Sequence, residues 1–231
     1  MRLLPLAPIV ALALVAPAGL AQQREAAMEA GPGAAGKAWV KLCETPASAG
    51  KDLFGKDRVV GAKTCLTHHE RVDANSGTVL IAAGVRQTGV AQQLTITVAG
   101  VQQGAGLRVL IYPADLWVKA QRKERLDKQE TGRLGDLKLR LAFCHRDGCT
   151  AEIDATPSLV SDLKSNAGLV VFALRSGQPI ALPIPLSGFR EAYDGPPVDS
   201  VRFHRARDEL LRQIRDRQKQ GERRQGDEPR R

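Results

Sequence analysis

The stretch FCHRDGCTAEID, residues 143–154, sets Cys144 and Cys149 on either side of a four-residue loop containing Asp147-Gly148. Asp-Gly between two β-patterned runs is a hairpin signal, because glycine tolerates the positive φ of such turns. Cysteines facing each other across a hairpin reach disulfide geometry. A chain so clamped is held to a β framework at that point. The loop-entropy relation gives about 2 kcal/mol for so small a ring.

The start of the chain says where such a clamp would survive. Met1-Arg2 supplies a short positive start, Leu3–Ala18 is almost wholly apolar, and Gly19-Leu20-Ala21 is a small-x-small cleavage pattern. This is the pattern of a secretory signal over residues 1–21. Prolines at 5, 8 and 17 argue against a membrane-spanning helix. The mature chain, Gln22–Arg231, carries all four cysteines: Cys43, Cys65, Cys144 and Cys149. An even count in an exported chain reads as two disulfides. Of the three pairings, sequence neighbours favour Cys43–Cys65 and Cys144–Cys149. The first closes a ring of about 23 residues, for which the same relation gives about 3.4 kcal/mol.

Two rival uses of these residues stay in view. A thiol–disulfide catalyst usually shows Cys-x-x-Cys at a helix start, and the spacing here is longer and sits in a hairpin. A metal site would need thiolates or converging imidazoles. The candidates are Cys65, His68 and His69 in CLTHHE, with His145 elsewhere. Adjacent His68 and His69 on a strand point to opposite faces and cannot both ligate one ion. No metal ligand and no cofactor is therefore assigned.

Period-2 alternation dominates the middle of the chain. Val79, Ile81, Ala83 and Val85 share one face, and Leu94, Ile96 and Val98 oppose Thr95 and Thr97. LRVLIYP, residues 107–113, is a continuous apolar run that reads as buried on both sides. In LKLRLAFC, residues 137–144, the pattern turns Leu137, Leu139, Leu141 and Phe143 inward. Ile180, Leu182, Ile184 and Leu186 keep the alternation, with Pro183 and Pro185 in the other register. Proline cannot donate to a ladder, so that strand belongs at a sheet edge. One helix is expected after Thr156, an N-cap followed by Pro157, with Leu159, Val160 and Leu163 on one side and Gly168 as a stop. A single turn burying Phe189 and Tyr193 follows. The fold class is all-β: an antiparallel β-sandwich or partly closed barrel with one or two short helices and two disulfides.

The organisation is a signal (1–21), a flexible leader (22–35), one β domain (36–196) and a basic tail (197–231). Residues 119–130, KAQRKERLDKQE, break the β pattern with only Leu126 as an apolar anchor, which reads as a solvated helix or mobile insertion. The tail begins as a helix with a narrow stripe of Val201, Leu210, Leu211 and Ile214, and lacks apolar residues from Gln218 onward, which argues disorder. Asp199–Arg231 holds 11 Lys/Arg against 7 Asp/Glu, within a chain of formal net charge +9. A secreted basic protein meets anionic lipid or cell wall before nucleic acid, and no nucleic-acid partner is expected. Catalytic signatures are missing: no G-x-S-x-G, no H-E-x-x-H and no phosphate-cradling glycine loop. Glu152 and Asp154 share a strand face and read as solvated carboxylates, not an acid/base pair.

FCHRDGCTAEIDATPSLVSDLKSNAGLVVFALRSGQPIALPIPLSGFREAYD closely resembles the carboxy-terminal half of the invasion-associated locus B family of exported bacterial proteins. The resemblance rests on the Cys–turn–Gly148-Cys149 pair, the Leu-rich helix, the strand pair, and the ending Leu186, Gly188, Phe189 and Ala192. Upstream, Trp39 with Cys43 is similar to the family's opening, Cys65 to its partner cysteine and LRVLIYPADLW to its central strand. It covers about residues 36–195. The charged stretch 119–130 and the tail after Pro197 depart from the family pattern. The resemblance implies a periplasmic or surface-associated all-β protein of a Gram-negative bacterium. It also implies a link, in some relatives, to host-cell invasion and no established catalytic residues. With the signal, the cysteine pairing and the missing catalytic motifs, the expectation is a non-enzymatic envelope protein whose disulfide-clamped sheet binds a protein, envelope or host partner. The sequence leaves open a periplasmic metal-binding protein or enzyme using histidines. It also leaves open a structural tether to anionic lipid or cell wall through the basic tail. The oligomeric state is not legible.

Overall fold

The computed structural model describes residues 39–45, 50, 60–101, 104, 106–145 and 148–226. The expected signal and leader, and the centre of the Cys144–Cys149 loop, lie outside the described residues. Among the described residues ten strands form two antiparallel sheets. The first sheet runs β1 (Val40–Glu44), β2 (Thr64–Val72), β3 (Val79–Thr88), β4 (Ala91–Val98), β8 (Gly148–Asp154), β7 (Leu141–His145) in spatial order. The second runs β10 (Gln178–Pro185), β9 (Gly168–Arg175), β5 (Leu107–Tyr112), β6 (Gly135–Leu139). The sheets do not close on each other, so of the two expected architectures the sandwich is the one formed.

Alternation places the core. Ile81, Ala83 and Val85 of β3, Leu94, Ile96 and Val98 of β4, and Ala151 of β8 face Val109 and Ile111 of β5, Leu169 and Val171 of β9, and Ile184 of β10. These side chains are aliphatic and nearly all inaccessible to water. Each fully buried one is worth about 1.5–3 kcal/mol before entropy is subtracted. The run 107–112 is buried on both sides apart from Arg108, as expected. Leu110 and Tyr112 form a second small core with Val170, Leu116 and Trp117 on the outer face of the second sheet. Helix α1 (Ala114–Gln121) supplies Leu116 and Trp117 to that face.

The charged stretch 119–130 is therefore partly helical: it starts inside α1 and enters α2 (Lys128–Thr131). Asp127 and Glu130 form a capping box at α2, and Lys119 pairs with Glu130 across the turn. Leu126 packs on the small core.

Two local expectations are corrected. The run 137–143 is not one strand. It breaks at Arg140, so that Leu137 and Leu139 lie in the second sheet and Leu141 in the first. A register shift between Leu141 and Phe143 then inserts Ala142 as a bulge. One extra residue reverses the side-chain direction. Leu141 packs on the core. Phe143 pairs with Thr150 and faces outward, its ring 5.2 Å from His145. Gly168 is not a helix stop either. Helix α3 (Pro157–Ser165) ends at Asn166, and Gly168 opens β9. A Cβ there would stand 2.2 Å from the Trp117 ring, so glycine is needed for the indole to lie on the backbone.

The edge assignment of β10 holds, and its chemistry is visible. In an antiparallel strand the N–H and C=O of one residue point to the same side. Pro183 and Pro185 turn theirs to the free edge, where no donor is lost. Their carbonyls accept from Arg71 of β2 (3.3 Å) and from the indole of Trp39, just before β1 (2.8 Å), both from the opposite sheet's side of the sandwich. The N-cap of α3 also holds: Thr156 Oγ1 accepts from the Leu159 N–H at 3.2 Å, and Leu159, Val160 and Leu163 are buried. The expected single turn is α4 (Phe189–Asp194), with Phe189 and Tyr193 buried.

The tail departs most from expectation. Helix α5 runs from Ser200 to Gly226, through the point where loss of apolar residues suggested disorder. Its residues are good helix formers, and Arg212 lies within ion-pair distance of both Glu209 and Asp216 on the same helix. Among the described residues no helix is long and apolar enough to cross a membrane.

Candidate functional site

The residues singled out in the sequence fall at opposite ends of the six-stranded sheet. At the β1–β2 end, Trp39 enters just before β1 and stacks edge-on against Phe189 of α4, centroids 4.8 Å apart. His69 of β2 lies 5.5 Å from Trp39 on the inner face. Gly188 caps α4 with φ +82, a left-handed conformation that favours glycine. That turn drives Phe189 into the core beside Leu186, while Ala192 packs at its margin. Thus Trp39, Leu186, Gly188, Phe189 and Ala192, distant in sequence, build one corner of the sandwich.

Polar contacts lock that corner. The Tyr193 hydroxyl donates to Gln92 Oε1 (2.7 Å) and accepts from Gln87 Nε2 (3.0 Å). Burial raises the Tyr193 phenol above its ordinary value, so it stays protonated. Lys41 donates to the Tyr193 and Gly195 carbonyls at 2.8 and 3.3 Å, tying the end of α4 to β1. Lys164 lies 4.4 Å from the centre of the Tyr193 ring and pairs with Asp194. Beside these groups the Cys43–Cys65 disulfide joins directly paired residues of β1 and β2, with Cα atoms 4.0 Å apart.

The outer side of the same strands carries a second set of contacts. His68 and Glu70 of β2 are buried beneath α5. Phe203 meets the His68 ring edge-on at 5.4 Å. Arg207 donates to both oxygens of Glu70 at 2.6 and 2.9 Å. His204 stands 3.7 Å from Glu44. Burial lowers the His68 pKa to about 4, against a smaller opposing pull from Glu70, so the ring is neutral at neutral pH. The stripe of Val201, Leu210, Leu211 and Ile214 does not mark this contact: Val201 is exposed, and Phe203 and Arg207 meet the strand. The available signal was the helical spacing of Phe203, Arg207, Leu211 and Ile214, a stripe that includes an arginine.

At the far end Cys144–Cys149 also joins paired residues, again with Cα atoms 4.0 Å apart. Gly148 is fixed by crowding, since a Cβ would stand 2.6 Å from the Val98 carbonyl oxygen of β4. Thr97 and Thr150 share a 2.8 Å hydrogen bond on the outer face. An open depression of ≈ 400 Å³ is lined by Gln93, Arg140, Leu141, Ala142, Glu152, Ile153 and Asp154. Glu152 and Asp154 share one face there, as expected.

The histidines of the metal alternative are kept apart. His68 faces α5, His69 faces Trp39, and His145 lies at the end of β7. Among the described residues no three His, Cys, Asp or Glu side chains cluster as metal ligands would.

Fold and site together define a class: a two-sheet β-sandwich with a disulfide clamp at each end of one sheet and an aromatic corner sealed by a short helix. The family model described as Invasion associated locus B (IalB) protein matches residues 39–197, and the chain belongs to that family. Among solved structures, the crystal structure of invasion associated protein b from Bartonella henselae is similar. It is 18% identical, covers 57% of this chain and 82% of its own, and has a TM-score of 0.42. No curated protein matches this chain. The family match ends before α5, so the helix over His68 and Glu70 lies beyond it.

Proposed function

We propose that this chain is a non-enzymatic envelope protein, exported to the periplasm or outer surface of a Gram-negative cell, that offers a rigid disulfide-clamped sheet to a protein or envelope partner. The observation that carries this reading is the use of the family's signature residues. Trp39, Leu186 and Phe189 are spent on packing one corner, and all four cysteines on bracing the two ends of one sheet. Such a frame suits recognition, because pre-ordered surfaces lose less entropy on binding. The test is retention of the purified mature chain on washed bacterial envelopes and on host-cell membranes, before and after reduction. Retention by the oxidised form, lost on reduction, is expected. Equal behaviour of both forms, or retention on neither surface, overturns the reading.

A second reading is favoured by α5. Arg202, Arg205, Arg212, Arg215 and Arg217 are exposed on it. Between Ser200 and Gln220 it carries seven Lys/Arg against three Asp/Glu. This basic face would hold the domain to anionic lipid, with binding that weakens as salt screens it. Replacing Arg202, Arg205 and Arg215 by Gln should weaken binding to phosphatidylglycerol vesicles. Unchanged binding, or binding indifferent to salt, removes the tether.

A further inference from the structure

The contact between α5 and β2 is matched in register. Four residues along a helix advance about 6 Å, and two along a strand about 6.7 Å. Phe203 therefore falls on His68 and Arg207 on Glu70 in successive steps along one line. Further on, Ile214 is buried against Gly77 in the β2–β3 turn. The apolar share of this line is small. Val198 and Val201 at its start are exposed, and a single ion pair fills its centre. A buried ion pair adds little net stability, because desolvating both charges offsets their attraction.

Enclosed beneath the line is a group that titrates. His68 Nε2 is buried with no hydrogen-bond partner among the described residues. Its surroundings on each packed element are known. From α5 come Arg207, His204 and Phe203, and from β2 itself Glu70, both of whose oxygens take Arg207. His69 projects to the other face. The strand neighbours paired with His68 are Val40 of β1 and Gly84 of β3, neither titratable; further along the same face of β1, Glu44 stands 3.7 Å from His204. Arg86 of β3 stands one pair away on the same face, hydrogen-bonded to Gln93.

We propose that α5 is an acid-released strap: protonating His68 puts a second cation beside Arg207 inside the helix–sheet interface, and the helix lifts from β1–β2. Release uncovers Leu42 and Leu66, which share the outer face with His68, and frees the basic helix for an anionic surface. The direction follows from linkage. Under the strap the imidazole pKa is lowered from 6.5 to about 4. Docking is therefore fully present above the hydrated value and lost as pH falls through the window between the two. With those two values the released population rises about twentyfold between pH 7 and pH 5.

Hydrogen exchange of the mature chain, followed by mass spectrometry and corrected for intrinsic rate, tests this. Peptides from α5 should lose about twentyfold protection between pH 7 and pH 5, while β3, β4 and β9 keep theirs. His68→Phe, which keeps a buried ring, should make α5 protection independent of pH; His68→Leu serves if the phenylalanine variant does not fold. The strap is refuted if α5 in the native chain shows no loss, if the sandwich strands loosen in step with it, or if the variant that folds keeps the same pH profile.

Discussion

The two ends of the six-stranded sheet carry the same chemistry and use it differently. Each edge strand is joined to its neighbour by a disulfide between directly paired residues, Cys43–Cys65 at one end and Cys144–Cys149 at the other. At the first end the sequence separation is 22, and both faces are covered, by α4 inside and α5 outside. At the second the separation is 5, and an open depression lies beside Glu152 and Asp154. A crosslink over a long loop removes more freedom from the unfolded chain than one over a hairpin. The first disulfide therefore stabilises the domain more than the second, which also fixes the register of a strand that contains a bulge.

The comparison can be broken most forcefully at the covered end. Phe189→Ala should cost about 3–5 kcal/mol in urea unfolding, since the ring is fully buried between Trp39 and Tyr193 and its loss leaves a cavity. A cost under about 1 kcal/mol would mean the corner collapses freely. Next comes the Cys43→Ala/Cys65→Ala pair, with an expected loss of about 3.4 kcal/mol. Cys144→Ala/Cys149→Ala should cost less, about 2 kcal/mol. If the two double variants rank in the reverse order, the loop-length account of the difference is wrong. The smallest effect belongs to the open end: Thr97→Val removes the hydrogen bond to Thr150 and should cost about 0.5–1.5 kcal/mol, read as a shift of the urea midpoint at constant slope.

Much of the frame was legible because it is local. Alternation in 79–85 and 94–98 placed those side chains on the correct faces, Pro183 and Pro185 marked an edge, and Thr156-Pro157 marked a helix start. The family's corner was legible as a list of residues but not as a place. Nothing in Trp39 or Leu186 says that the Trp39 indole will donate to the carbonyl of Pro185, 146 residues away. Residues 137–144 show the limit from the other side. Their alternation is clean, yet the chain crosses from one sheet to the other at Arg140 and gains a residue at Ala142. Pattern alone is the same for one long strand and for two short ones.

What the sequence determined by itself is the β character of the domain, the choice of cysteine partners and the apolar face of each strand, since these depend on near neighbours and a period of two. Tertiary structure decided which strands share a sheet, that Gly168 must make room for Trp117, and that α5 lies over His68 and Glu70. Those outcomes depend on surfaces meeting across long stretches of chain. Helical spacing offers a stripe, but only the sheet it meets decides whether an arginine in that stripe faces water or a buried carboxylate.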